Sequence, residues 1–271
     1  MAKDSENSRD LAAIRDEIDA LDTKIQDLIS DRARLAFRVR ESKGSTGSAV
    51  DYYRPERESQ VLRKVRERNE GPLSDSEMLR LFREIMSACL AQQEPLKVAF
   101  LGPEGTFTQQ AVHRHFGHSV HTMSLPAIDD VFDQVHCGDA DFGVVPVENS
   151  TQGIVSHTLD NFLLSDLKIC GEIELRVHQN LLTAANSLDQ IERVYSHEQS
   201  LSQCKNWLRT HLPGVELIAV GSNSEPARRV RNTPESAAIA GRSAADIYGL
   251  PVMFSDIEDH PDNTTRFLVI G

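Results

Sequence analysis

The chain has 271 residues, 39% hydrophobic and 26% charged, with a formal net charge of −12. That is ordinary globular material, long enough for one large domain or two smaller ones, and its acidity argues against non-specific nucleic-acid binding and would repel small anions unless cations are gathered locally. The opening MAKDSENSRD has no apolar h-region and no apolar run approaches a membrane-spanning length, so a cytoplasmic chain without a membrane partner is expected.

In chain order, an apolar stripe at Leu11, Ile14, Ile18, Leu21, Ile25, Leu28, Leu35 and Val39 predicts a helix from about Arg9 to Lys43. Arg32 occupies a slot on that stripe, where a guanidinium needs an anionic partner. Pro55 opens a second helix over 55–69, and Ser74 with Glu77 forms a capping box for a third, carrying Met78, Leu81, Phe82, Ile85, Ala88 and Cys89 on one side. Gln92 continues that stripe. Three helices, one so elongated, point to a homodimer, or a higher assembly, in which the long helices pair. Arg15 and Arg32 stand about 25 Å apart along one helix, too far to share a small ligand, while Lys43 returns to nearly the face of Arg32.

Residues 1–94 sum to −2 and residues 95–271 to −10, and a boundary near Pro95 is implied. Beyond it the pattern alternates in the α/β manner. Strands are expected at KVAFLG, DFGVVPV, ICGEIELRVHQNLLTA, RVYSH, VELIAVGS and TTRFLVIG, and helices at TQQAVHRHFG, GIVSHTLDNFLL and LSQCKNWLRTHL. Cys89, Cys137, Cys170 and Cys204 form no metal-ligand cluster and are read as small buried thiols, the remaining histidines as solvated, and no cofactor or metal is expected.

These residues carry a resemblance over essentially the whole chain, to the bifunctional chorismate mutase/prephenate dehydratase family. Residues 9–94 resemble its all-helical mutase module, matching at Arg15, Arg32, Lys43, Glu56 and Gln92. The resemblance implies that Arg15 of one subunit and Arg32 of the other clamp the carboxylates of chorismate, that Lys43 and Gln92 meet its ether oxygen and that Glu56 takes its hydroxyl. This is electrostatic preorganisation for a pericyclic reaction. Pro55 stands where some members have arginine, with Arg54 beside it as a further substrate contact, and Ala88 where some have serine. The bland reading makes Arg32 the partner of a structural carboxylate such as Glu56.

Residues 97–271 resemble the dehydratase domain, a two-lobed α/β fold similar to type II periplasmic binding proteins with its site in the cleft. The motifs are GPEGTFTQQA, VPVENSTQG, YSHEQSLSQC and TTRF. They imply that Asn149, Ser150 and Thr151 bind prephenate, that Gln199 adds a hydrogen bond, and that Thr265 beside Arg266 lies at the reaction centre. Thr106 serves equally as a helix N-cap or a ligand contact, Glu148 as a ligand contact or a structural partner of Arg266, and His197 as a cleft residue or a satisfied core or surface side chain. Gly102 and Gly105 read as turn residues. Alternatives are arogenate as the second substrate, or a non-catalytic module binding small anions. Family members usually continue past TRF into a phenylalanine-binding regulatory domain; this sequence ends at TTRFLVIG, so little inhibition by phenylalanine is expected.

Overall fold

The computed structural model describes residues 2–43, 53–92 and 95–271. It divides into two compact units, Met1–Pro95 and Leu96–Gly271. Among the described residues no helix is long and apolar enough to cross a membrane.

The first unit is helical. Helix α1 (Ala2–Lys43) runs without glycine or proline and begins seven residues earlier than the apolar stripe predicts, because polar residues without helix breakers extend it. Its stripe is left bare: Leu11, Ile14, Ile18, Leu21, Ile25, Leu28, Leu35 and Val39 are each at least 50% exposed. Helix α2 (Pro55–Glu67) opens on its proline and places Glu56 and Glu58 in the first turn and Lys64 and Arg66 in the last, matching the helix dipole. It ends two residues earlier than predicted, where the Arg68 N–H turns back to Lys64 and Arg66. Helix α3 (Asp75–Ala91) is capped by the Ser74 hydroxyl, which accepts from the Glu77 N–H at 3.3 Å. Only Cys89 of its predicted apolar side is fully buried, whereas Leu81 and Ala88 are exposed.

The second unit holds two sheets. In the first, β1 (Lys97–Leu101) lies parallel to β2 (His121–Leu125) and to β3 (Phe142–Asn149), and β11 (Thr264–Ile270) is inserted antiparallel between β3 and β5 (Ile169–Arg176). The short β4 (Gly153–Ile154) pairs with β3. Helices α4 (Phe107–Phe116), α5 (Ile128–His136) and α6 (Ser156–Leu164) belong to this lobe. The second sheet has the order β10-β6-β9-β7-β8, from Val252–Phe254, Asn180–Leu182, Ser236–Ala240, Arg193–His197 and Glu216–Val220. Its helices are α7 (Glu198–Gln203), α8 (Lys205–His211), α9 (Glu225–Val230) and α10 (Arg242–Tyr248). Each lobe has its own core, around Val131, Phe132 and Ile270 in one and Leu181, Val194 and Ile239 in the other.

The chain crosses between lobes twice, at 177–179 and at 255–263. The crossings are tied together by Val177 N–H to Asn263 O at 2.8 Å and Ile257 N–H to Gln179 O at 2.9 Å. The stretch expected as one strand, ICGEIELRVHQNLLTA, is therefore two strands of different sheets. The segment LSQCKNWLRTHL is likewise broken, at Cys204, whose φ of −110° ends α7 and starts α8. Cys89 and Cys204 are buried thiols, but Cys137 and Cys170 are exposed. Burial, with help from the nearby charges of Glu258 and Asp259, pushes the Cys204 thiol far above its ordinary value.

Candidate active site

A cavity of about 350 Å³ opens in the second unit where strands of both sheets end. Leu101 and Gly102 reach it from β1, Asn149 from β3, His197 from β7 and Gly221 from β8, so it lies beyond the carboxyl ends of these strands. Gly102 is required by close approach, since a Cβ there would fall 1.9 Å from the Ser124 Oγ. Gly105 has a φ of +80°, with Ser224 Cβ 3.1 Å from where its own Cβ would stand.

One wall is an ordered amide and hydroxyl network. The Asn149 Oδ1 accepts the N–H of Thr151 at 3.0 Å and of Gln152 at 3.2 Å, which fixes which end of the carboxamide is oxygen. It also accepts the Thr151 hydroxyl at 2.6 Å and the Gln199 Nε2 at 3.5 Å. The Asn149 Nδ2 therefore donates, to the Thr265 Oγ1 at 2.8 Å and to the Asn263 Oδ1 at 3.2 Å. Because the Thr265 oxygen is already an acceptor for Asn149, its own O–H is free to point elsewhere. Across the cavity mouth the Gln203 Nε2 donates to the Thr151 Oγ1 at 3.3 Å, linking α7 of one lobe to the β3–β4 loop of the other. Gln203 in turn accepts from the Gln179 Nε2 at 3.2 Å.

The structure separates the predicted residues into three groups. Asn149, Gln199, Thr265 and Thr106 line the cavity. Thr106 occupies the N-cap position of α4 but its hydroxyl makes no capping bond, and its buried Oγ1 has no hydrogen-bond partner among the described residues. Ser150 and Thr151 stand behind the wall: Ser150 fastens its loop to β11, accepting from the Thr264 N–H at 3.0 Å, and Thr151 orients Asn149. Glu148 and Arg266 are a correction, because they are on the other face. Strand side chains alternate, so with Asn149 and Thr265 turned to the cavity their neighbours turn away. There the Arg266 guanidinium binds Glu148 at 2.7 Å and Glu172 at 2.8 Å. Hydrogen bonding from Arg266 holds the Glu172 carboxyl below its usual range, and the two carboxylates raise Arg266 further.

Local cations, without which so acidic a chain would repel a small anion, are absent among the described residues of this wall. Among the described residues that line it none is Lys, Arg, Asp or Glu, and His197 is the single titratable side chain. His197, weighed from the sequence as a cleft residue or a satisfied side chain, lines the wall; Gln179, Gln203, Asn223 and Gln152 are wall residues that sequence reasoning did not select, of which Gln203 sits inside YSHEQSLSQC and Gln152 inside VPVENSTQG, whereas Gln179 belongs to no motif.

In the helical unit, Arg15, Arg54, Glu56 and Gln92 are exposed and Arg32 is half-buried. Arg32 makes no ion pair among the described residues, so a bond to Glu56 does not satisfy it. Lys43 ends α1, and its side chain lies outside the described residues. Glu58 lies 3.6 Å from Arg83; burial raises its carboxyl above the ordinary value despite hydrogen bonding from Tyr53 and the nearby Arg83 charge.

The histidines are not uniformly solvated. His113 stacks on His118 with centroids 4.5 Å apart and His115 meets Phe116 edge-on at 4.7 Å. The His178 Nδ1 lies 2.8 Å from Glu258 and 3.2 Å from Asp256, three groups whose ligand atoms could hold a cation, although an ion pair satisfies them equally.

Two family models divide the chain: chorismate mutase type II over residues 14–94 and prephenate dehydratase over residues 98–271. A bifunctional chorismate mutase/prephenate dehydratase of Stutzerimonas stutzeri is 55% identical over 265 residues, covering 96% of this chain and 73% of its own. The chain belongs to the bifunctional chorismate mutase/prephenate dehydratase family. The enzyme of the same description from Aquifex aeolicus is 41% identical over 97% of this chain and 73% of its own. The crystal structure of prephenate dehydratase in complex with L-Phe from Arthrobacter aurescens superposes with a TM-score of 0.60 at 31% identity, over 65% of this chain and 60% of that one. Within this family the cavity occupies the unit that matches the dehydratase model, and Arg15, Arg32, Glu56 and Gln92 fall within the residues matching the mutase model.

Proposed function

We propose that the chain converts chorismate to prephenate with its helical unit and prephenate to phenylpyruvate at the cavity of its second unit. The observation that carries the second assignment is the Asn149–Thr265 bond at the cavity wall. In the dehydration the bond to the departing carboxylate breaks and its electron pair enters the ring. The bond to the ring hydroxyl breaks at the same time, and that oxygen leaves as water once it gains a proton. A donor to the departing oxygen lowers this barrier. Thr265, held by Asn149 so that its O–H is uncommitted, is that donor; as a weak acid it orients or relays a proton rather than supplying one outright. Gln199 and the unpartnered Thr106 hydroxyl offer hydrogen bonds to the substrate's anionic groups.

For the mutase, the reading rests on the bare stripe of α1 and on Arg32, which lacks a carboxylate among the described residues. A second copy paired along α1 covers the eight exposed side chains, a burial worth on the order of 10 kcal/mol before the cost of association. In that dimer Arg15 of one subunit joins Arg32, Lys43, Glu56 and Gln92 of the other around chorismate. Purified protein supplied separately with chorismate and with prephenate tests both halves. Consumption of the first and phenylpyruvate from the second are expected; binding of either without turnover would make the chain a small-anion receptor instead.

A further inference from the structure

His197 stands at the carboxyl end of β7 as the N-cap residue of α7, where its Nδ1 accepts the Gln199 N–H at 3.3 Å. A backbone N–H can only donate, so Nδ1 presents its lone pair and the proton of the neutral ring resides on Nε2. The tautomer is thus set by the backbone rather than by rotatable neighbours. The ring has no second partner among the described residues, and it forms part of a cavity wall whose other polar groups are neutral amides and hydroxyls. A dicarboxylate bound there receives no help from a lysine or arginine on that wall.

We propose that His197 is a further substrate-contacting residue of the dehydratase, a neutral imidazole whose Nε2–H donates to a carboxylate of prephenate and does not serve as the acid for the departing hydroxyl. The proposal rests on the assignment of prephenate to this cavity. Its chemistry follows from the cap: adding a proton to Nδ1 would set two N–H groups against each other and break the bond to Gln199. A neutral imidazole N–H is a good donor to an anion but gives up its proton far too reluctantly to act as an acid. The role of donor to the leaving oxygen is already filled by Thr265.

The test compares wild-type enzyme with His197→Leu and His197→Gln, the second of which restores a donor at the position of Nε2. A lost hydrogen bond to a charged group predicts a prephenate KM raised roughly 10- to 100-fold in His197→Leu, with kcat within a few-fold. His197→Gln recovers most of that loss, and thermal midpoints check that both variants fold. An unchanged KM in His197→Leu overturns the contact. A large kcat loss in both variants with KM intact overturns it as well, by making His197 the acid. On the wild-type enzyme alone, nitrogen-15 histidine spectra are expected to show the neutral His197 ring as its Nε2–H tautomer, and a neutral ring carrying its proton on Nδ1 contradicts the proposal. Wild-type enzyme inert towards prephenate would sink the assignment of the cavity itself; an active wild type with an unaltered His197→Leu overturns only the contact.

Discussion

Asn149 and Thr265 are cross-strand partners on β3 and β11, and the Asn149 Nδ2 donates to the Thr265 Oγ1 at 2.8 Å. Backbone N–H groups of Thr151 and Gln152 fix the carboxamide, so the direction of this bond is set by the main chain. Removing the hydroxyl with little change of shape, in Thr265→Val, is expected to lower the dehydratase kcat by about 10²- to 10³-fold, the usual loss for one preorganised donor. Thr265→Ser keeps most of the rate. A Thr265→Val enzyme turning over prephenate normally removes Thr265 from the reaction.

Arg266 is predicted to support the sheet rather than to hold substrate. It joins Glu148 on β3 and Glu172 on β5, away from the cavity. Because the folded Glu172 carboxyl titrates below its ordinary value, its contribution to stability is complete above the ordinary carboxylate pKa and is lost as pH falls through the folded value. Arg266→Gln therefore lowers the thermal midpoint near neutrality and progressively less in acid, while the KM for prephenate stays within a few-fold. A selective rise in KM with unchanged stability contradicts this.

The exposed stripe of α1 makes a prediction about assembly. Leu21, 55% exposed, is central in it, and Leu21→Asp places a charge where a partner helix would bury it. Sedimentation is expected to show dissociation of the dimer, with mutase activity lost and prephenate dehydration largely retained. A variant that stays dimeric, or a wild type that is monomeric, rules out pairing along this face.

Gly102 is a steric position. In Gly102→Ala the new methyl meets the Ser124 Oγ at 1.9 Å and the Leu125 carbonyl at 3.3 Å, at a cost of about 1–3 kcal/mol. Adding Ser124→Ala removes the nearer clash and is expected to recover part of that loss in chemical denaturation. No recovery would mean that the backbone contact dominates.

The sequence was most legible where a local rule acted alone. The capping box at Ser74 and Glu77 and the proline opening α2 each specify an end by one residue's chemistry. Strand β9, the segment SAAIA, was missed because a strand buried along its whole length shows no alternation and its alanines carry no β-propensity. Strand β2, HTMSL, is too polar to announce itself. In the site, motif residues were visible as a set, but their facing was not: adjacent Thr265 and Arg266 read as one unit until the pleat sent them to opposite sides. Gln179 reached the cavity only because its backbone bonds Ile257 and Glu258 at a crossing between sheets, a pairing between positions about eighty residues apart.

The central claim is that two sites in two units perform two reactions, and the most direct measurement is each activity in Arg32→Ala and Thr265→Val. Arg32→Ala should abolish chorismate rearrangement and leave prephenate dehydration nearly intact; Thr265→Val should do the reverse. Loss of both activities in Arg32→Ala would contradict the account, giving Arg32 a structural role in the dimer in place of a carboxylate clamp.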